Sequence, residues 1–388
     1  MRSPESPAAL PAGHQAEALF SNPETWERLP LWPSTESRLL QCCAVSDETH
    51  DVKSFTFRQP DAAPAAFMPG QFITVRATVG GLPLMRCYTI SSSPARPFTI
   101  SITVKKVPGG ILSNWLHAHL HVGATLEAFG PAGMFTPAPG QRSKLLYLSA
   151  GSGVTPLMAM TRAGHDLGLD RDIVFVHSAR TPADIVFRQE LIALQSRLPG
   201  LQVMQVCESK GDAPDWQGPV GRLSLELLQR LVPDFPQREV FTCGPAGYMQ
   251  AAQELLLRGG HPAEHYHQES FDLGSTTAGS AEAVAESPPS STASAAPPIE
   301  AASFSVTLAK SKKTITVSGA HMLLASLRRA GVPVPSSCGQ GLCGTCKTPL
   351  LQGQVAMTHQ GGIRQREIDK GLRLLCCSRP ESDLVLEL

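Results

Sequence analysis

The chain has 388 residues, enough for two or three domains that each bury a core of their own. Its 33 Lys and Arg balance 33 Asp and Glu, so no overall field favours nucleic acid or an anionic membrane, and charge is left for local docking patches. No apolar run approaches the roughly 18 residues of a membrane span, and residues 1–36 lack the basic and apolar regions of a signal peptide; both features predict a cytoplasmic protein with no membrane insertion.

Residues 1–36 mix Pro, Ser, Glu and Ala with little periodicity, which predicts a flexible lead-in with an apolar anchor around Trp32. From Leu39 the pattern becomes short β-rich runs broken by turn residues, at Ser54 to Arg58, Gln71 to Thr78, Arg86 to Ser91, Phe98 to Lys105 and Thr125 to Phe129. This spacing predicts an antiparallel β-barrel over 37–138, interrupted by one short helix at Leu112 to Leu120.

Composition shifts near Lys144. Leu145 to Leu148 and Ile173 to Val176 are continuous apolar runs of the length expected for parallel strands buried on both faces. Helical segments at Thr155 to Leu167, Phe187 to Leu198, Leu223 to Leu231 and Gly247 to Arg258 alternate with strands at Val203 to Cys207 and Glu239 to Thr242, so 139–273 reads as a doubly wound α/β domain. Residues 274–302 are almost entirely Gly, Ser, Thr, Ala, Pro and Glu; they cannot bury a core, and such a linker spans roughly 30 Å root-mean-square. The tail, 303–388, has strands at Phe304 to Leu308 and Thr314 to Val317, a helix from His321 to Ala330, and a closing strand at Asp383 to Leu388.

That tail contains the most specific signal in the chain. Cys338, Cys343 and Cys346, completed by a distant fourth Cys at 376 or 377, have the Cys-x4-Cys-x2-Cys spacing with which thiolates hold a [2Fe-2S] cluster. A zinc ribbon needs a second Cys-x2-Cys, and there is none. Glycines at 339, 341 and 344 let the loop turn tightly and aim amides at the sulfurs, which lowers the cost of the negative charge added on reduction. Ten cysteines in so large a chain, at least four of them placed as ligands, fit a reducing compartment; Cys42, Cys43, Cys87, Cys207 and Cys377 read as small apolar residues.

Three weaker patterns lie upstream. Arg86-Cys87-Tyr88-Thr89-Ile90-Ser91 places a cation, an aromatic and hydroxyls on one strand and turn, and alternation sets Arg86 and Tyr88 on one face. Gly110 followed by Ser113 at a helix start is either a plain cap or a phosphate site. Gly151-Ser152-Gly153-Val154-Thr155-Pro156 follows a buried strand and opens a helix, so a phosphate-bearing ligand can approach its backbone, with Pro156 suited to the first turn. His117, His119 and His121 do not share one helical face and read as solvated.

Together these segments resemble the ferredoxin reductase-like flavoproteins that carry a C-terminal plant-type ferredoxin. The resemblance implies three domains: a flavin-binding barrel, a nicotinamide-binding α/β domain and a β-grasp ferredoxin. It implies that Arg86 binds the flavin phosphate, Tyr88 packs on the isoalloxazine, Thr89 lies near flavin N5, Ser91 completes the motif, and Gly110 and Ser113 hold the pyrophosphate. Gly151, Gly153, Thr155 and Pro156 match the nicotinamide segment, and Cys243-Gly244-Pro245 matches the second marker, with the Cys beside the nicotinamide ring. His267 to Phe271 match a tail that lies close to the flavin. The resemblance also selects Cys376 as fourth ligand, because Pro380 follows it by four residues.

Domain order is similar to the reductase subunits of Rieske-type oxygenases, most closely the glycine betaine monooxygenase group, and next to the NADH reductase of the hybrid-cluster protein. The implied cofactors are FAD, with FMN as the alternative, a [2Fe-2S] cluster, and NADH, with NADPH as the alternative. Arg180 and Lys210 are candidates for a 2′-phosphate and Glu208 for ribose hydroxyls. The expected activity carries electrons from NAD(P)H through the flavin to the cluster and on to a terminal oxygenase or other acceptor protein. The chain has no site of its own for oxidising a substrate. A ferredoxin-like carrier with an inactive reductase half is the non-enzymatic alternative.

Overall fold

The computed structural model describes residues 37–60, 64–137, 143–269, 303–334, 336, 339, 341, 344–359, 363 and 365–388. The lead-in at 1–36, the linker at 274–302, Phe271, Cys338 and Cys343 lie outside the described residues. Two compact units divide at Phe271 and Asp272. No helix among the described residues is long and apolar enough to cross a membrane.

The first unit opens with six antiparallel strands: β1 (Ser37–Thr49), β2 (Val52–Arg58), β3 (Phe72–Val79), β4 (Leu82–Thr89), β5 (Ile100–Lys105) and β6 (Thr125–Ala132), in the order β4-β3-β6-β1-β2-β5. An antiparallel bridge from Ile90 to Ile102 joins the two outer strands and closes the barrel, which removes its open edges. Helix α1 (Ile111–His119) plugs one end, sending Leu112 and Leu116 into a core with Phe55, Phe57, Ile73 and Ile102. Strand β4 begins at Leu82, four residues before the run expected from composition. Gly80 and Gly81, both at positive φ, make the tight turn that pairs Val79 with Leu82 and so recruits Pro83 and Leu84 into the hairpin.

The α/β part alternates β7 (Lys144–Ala150), α2 (Val154–Asp166), β8 (Asp172–Ala179), α3 (Arg188–Arg197), β9 (Leu201–Cys207), α4 (Leu225–Leu231), β10 (Glu239–Cys243), α5 (Ala246–Arg258) and β11 (Tyr266–Glu269). All five strands are parallel in the order β11-β10-β7-β8-β9. One face is covered by α2 and α3 and the other by α4 and α5, each over its own apolar cluster. The chain moves outward from β7 through β8 to β9 and then crosses to β10, so the order reverses between β7 and β10; ligands of such sheets bind at that crevice, off the carboxyl ends of the strands. β11 was not legible in the sequence, because an edge strand pairs on one side only and Tyr-His-Gln-Glu lacks a buried strand's apolar run.

The second unit holds a mixed sheet, β13-β12-β18-β14-β16, from β12 (Ser303–Leu308), β13 (Lys313–Ser318), β14 (Lys347–Gln352), β16 (Leu372–Leu374) and β18 (Leu384–Leu386). Strands β15 (Val355–Met357) and β17 (Ser378–Pro380) form a separate pair. Helix α6 (Leu323–Arg329) packs on the sheet through Leu323, Leu324 and Leu327, and α7 (Gln365–Asp369) precedes β16. First and last strands run parallel at the centre, as in a β-grasp.

Candidate functional site

The arginine, tyrosine and hydroxyl motif lies on β4 as it leaves the barrel. Arg86 is exposed, with Nη1 donating to the Met85 carbonyl at 2.7 Å. Tyr88 packs against the barrel core, and burial raises its phenol above the ordinary range. Thr89 is 4% exposed and its Oγ1 has no hydrogen-bond partner among the described residues. An orphaned buried hydroxyl costs on the order of 1–3 kcal/mol, so a bound group that satisfies it is favoured there. Ser91 differs: its hydroxyl bonds Thr103 Oγ1 at 2.9 Å and the Ser101 carbonyl at 3.2 Å, inside the barrel.

Gly110 caps α1 without a side-chain bond. Ser113 Oγ accepts from the Val107 amide at 3.2 Å, and Asn114 Nδ2 donates to the Val107 carbonyl at 2.8 Å. The turn is therefore held by its own side chains. A Cβ on Gly110 would come within 2.7 Å of Ser113 Oγ, which explains glycine there.

The two segments expected for the nicotinamide meet at the crevice between β7 and β10. Gly151 to Gly153 form one 3-10 turn and pass directly into α2. Opposite, Cys243 ends β10, with Gly244 and Pro245 leading into α5. A Cβ on Gly153 would sit 2.3 Å from the Cys243 carbonyl oxygen, so only glycine lets the turns approach this closely. Thr155 Oγ1 donates back to the Ser152 carbonyl at 3.1 Å, and Pro156 is buried in the first turn of α2. A narrow glycine-lined gap beside a helix start suits an extended phosphate-bearing ligand.

Strand register reveals a feature that local pattern did not. Glu269, Cys243, Ser149, His177 and Gln205 pair in one row across β11, β10, β7, β8 and β9, the last row that spans all five strands towards their carboxyl ends. Ser149 Oγ and His177 Nδ1 are 2.7 Å apart, and both residues are fully buried. Burial lowers the His177 imidazole to about 4, so it is neutral near pH 7. Glu269 Oε2 has no hydrogen-bond partner among the described residues, and burial of the carboxyl raises it to about 8. Beneath this row the sheet is aromatic, with Phe241, Tyr147 and Phe175 in edge contact and His267 stacked on Phe241 at 4.7 Å. Glu239, 3% exposed, accepts from His265 Nδ1 at 3.0 Å and from His267 Nε2, which holds β11 to the sheet. Met134, Phe135, Phe241, His267 and Glu269 line an adjoining cavity of about 430 Å³.

Residues considered for the nucleotide's ribose end are paired within the protein. Arg180 Nη2 donates to Asp184 at 2.9 Å, Glu208 accepts from Arg222 at 3.2 Å, and Lys210 Nζ reaches the Pro214 carbonyl at 3.4 Å. The three histidines near α1 are not a cluster, and His117 is half-buried, its Nε2 2.8 Å from the Val104 carbonyl.

In the second unit, Cys346 and Cys376 are buried together. The Gly341 amide donates to Cys376 Sγ at 3.1 Å, and the Cys376 amide to Cys346 Sγ at 3.4 Å. Amides aimed at sulfur favour thiolate, which suits metal ligands. The Cys377 thiol donates to the Leu374 carbonyl at 3.6 Å. Gly341 stands at φ +70°, and a Cβ there would lie 2.7 Å from Cys377 Sγ. None of the eight described cysteines forms a disulfide.

Comparison with known proteins agrees with this geometry. Three family models match in chain order: an oxidoreductase FAD-binding domain over 41–136, an oxidoreductase NAD-binding domain over 147–254, and a 2Fe-2S iron-sulfur cluster binding domain over 306–381. The chain is 40% identical over 373 residues to the glycine betaine monooxygenase reductase subunit of Pseudomonas aeruginosa, covering 95% of this chain and 99% of that one. The chain belongs to this family of FAD, NAD and [2Fe-2S] oxidoreductases. The reductase is also 37% identical over 355 residues to the stachydrine N-demethylase reductase subunit of Rhizobium meliloti, covering 92% of this chain and 97% of that one. Among solved structures it is similar to phthalate dioxygenase reductase, a modular structure for electron transfer from pyridine nucleotides to [2Fe-2S]. There the TM-score is 0.53 at 25% identity, over 91% of the reductase and 98% of that chain.

Proposed function

We propose that the reductase takes electrons from NADH and delivers them to a Rieske-type terminal oxygenase that acts on a quaternary ammonium compound such as glycine betaine. The observation that carries this reading is likeness along nearly the whole chain, at 40% identity, to a glycine betaine monooxygenase reductase subunit. Nicotinamide supplies electrons in pairs as hydride, a [2Fe-2S] cluster accepts them singly, and a flavin converts between the two.

The protein's share is placement. Arg86, Gly110 and Ser113 hold the phosphates of FAD, Tyr88 packs on its ring, and Thr89 offers its unpartnered hydroxyl to the same ring. Gly151, Gly153, Thr155, Pro156, Gly244 and Pro245 receive the dinucleotide, Cys243 lies beside the nicotinamide, and Phe271 belongs to the tail that contributes to the flavin site. Cys338, Cys343, Cys346 and Cys376 are the cluster ligands. The domains are 37–138, 139–273 and 303–388, flanked by the segments 1–36 and 274–302. Cysteine-ligated iron-sulfur chemistry in a chain of this size fits a reducing cytoplasm.

The test mixes the purified reductase and NADH with candidate acceptors and measures product. Turnover of glycine betaine only when its terminal oxygenase is present supports the reading. Reduction of hybrid-cluster protein in preference to any oxygenase overturns it, as does failure of the flavin-loaded protein to reduce cytochrome c or ferricyanide with NADH.

A further inference from the structure

Helix α2 connects the flavin motif to the nicotinamide segment. Its first residues continue the Gly151–Gly153 turn, and its thirteen residues make a rod about 20 Å long. Thr155, Ala159, Arg162 and Asp166 are spaced i, i+4, i+7 and i+11, so they form one stripe along the helix. The far half of that stripe is fastened to the segment that leaves β4. Arg162 Nη1 donates to the carbonyl of Ser91, two residues after Thr89. The Ser91 amide donates to the Ser101 carbonyl at 2.8 Å, so Ser91 is held by β5 through its N–H and by α2 through its carbonyl.

The guanidinium itself has little freedom. Its Nε and Nη2 donate to both oxygens of Glu190, at 2.7 and 2.6 Å, and its carbon lies 4.6 Å from the centre of the Phe187 ring. The Arg162 side chain is only 18% exposed. A planar fork held by a carboxylate on one edge and a ring on its face fixes the plane in which Nη1 donates to Ser91. One turn further on, Asp166 accepts both Arg96 nitrogens, at 2.9 and 2.7 Å, and this second staple reaches the barrel five residues beyond Ser91.

We infer that Arg162, held by Glu190, is a positioning residue for hydride transfer: through the Ser91 carbonyl it fixes the flavin strand against the helix whose first turn receives the nicotinamide. The inference rests on the proposed function. Neither Arg162 nor Glu190 belongs to a segment assigned to a cofactor, and the link exists only because the fold lays α2 across the end of β4.

The experiment is anaerobic stopped-flow reduction of the bound flavin in the full-length holoprotein, with NADH and with NADH deuterated at C4, for wild type, R162M, R162K, E190Q and R96M. R162M is expected to keep its flavin and cluster spectra and its NADH Kd within about twofold, while flavin reduction at saturating NADH falls roughly 10²-fold with a fully expressed isotope effect, as a misplacement of about 1 Å would cause. R162K restores about tenfold of that loss, because one ammonium reaches Ser91 but cannot also match both Glu190 oxygens. R96M, which cuts the other staple, stays within about twofold of wild type.

Reduction of R162M within about threefold of the wild-type rate overturns the inference, and so does a loss explained wholly by weaker NADH binding. If R162M is isolated without flavin, R162K and E190Q carry the test: slowed reduction with an enlarged isotope effect supports the inference, and wild-type rates overturn it. A wild type whose bound flavin NADH does not reduce fails at the earlier step, and the functional reading falls together with this inference.

Discussion

His177 is a titratable group that the fold keeps uncharged. Its imidazole is lowered from an ordinary 6.5 to about 4 because it is fully buried in the sheet, with Ser149 as its hydroxyl partner. Between those values the unfolded chain binds a proton that the folded chain refuses. The contribution to stability is therefore fully present above pH 6.5 and is lost as the pH falls towards 4. About 2 kcal/mol of stability should disappear between pH 7 and pH 5 through this group. Urea unfolding at the two pH values measures it, and H177Q should show a shallower loss than wild type; equal slopes would contradict the assignment. Gly153 is the second residue whose identity is set by geometry. G153A places a methyl against the Cys243 carbonyl, so the two turns must separate. The NADH Kd should rise at least about tenfold while flavin content and spectrum are retained, read by difference titration.

At the scale of elements, the α/β sheet divides labour between its two ends. The carboxyl end carries the polar row and the glycine turns, whereas the opposite end is tied by Arg238. That guanidinium, 6% exposed, donates to Asp172 at 2.8 Å and to Asp234 at 2.8 Å and so joins the start of β8 to the approach to β10. R238M should cost about 2 kcal/mol in urea unfolding, below the usual range for a buried pair because both carboxylates retain water, with the NADH Kd unchanged. A change in Kd would show that the two ends are coupled. Strands β7 and β8 were legible as apolar runs because both of their faces are buried, and the helices that cover them were legible from their period. The polar strand β11 was not, and nothing local to Tyr266–Glu269 marks it as the neighbour of β10. Five of the six barrel strands were legible as β-rich runs between turn residues; β1 was not, and the start of β4 was misplaced because a glycine turn, not composition, sets the hairpin's register.

For the molecule as a whole, two compact units separate pyridine-nucleotide chemistry from iron-sulfur chemistry. The division predicts separable activities. C376S should lose the [2Fe-2S] absorption and reduction of the acceptor protein, while reduction of ferricyanide by NADH stays within about twofold of wild type. A C376S protein with an intact cluster spectrum would move the fourth ligand to Cys377. The Gly341 amide aimed at Cys376 Sγ, while the Cys377 thiol donates to the Leu374 carbonyl, is the structural reason to expect the first result.

The sequence by itself determined the cluster chemistry, because ligation needs several thiolates at short intervals, and glycine after a buried strand marked where a dinucleotide can approach; both requirements are local and leave local marks, whereas the flavin assignment came through the family resemblance. It also determined the alternation of elements, since burial on one or two faces prints its period directly. Only the tertiary structure decided what lies beside what. The row from Glu269 to Gln205 joins residues from five strands, the gap between Gly153 and Cys243 closes over 90 positions of chain, and Arg162 meets Ser91 across 71. Contacts of that separation depend on strand order and helix placement, which packing of the whole unit sets and no short segment encodes.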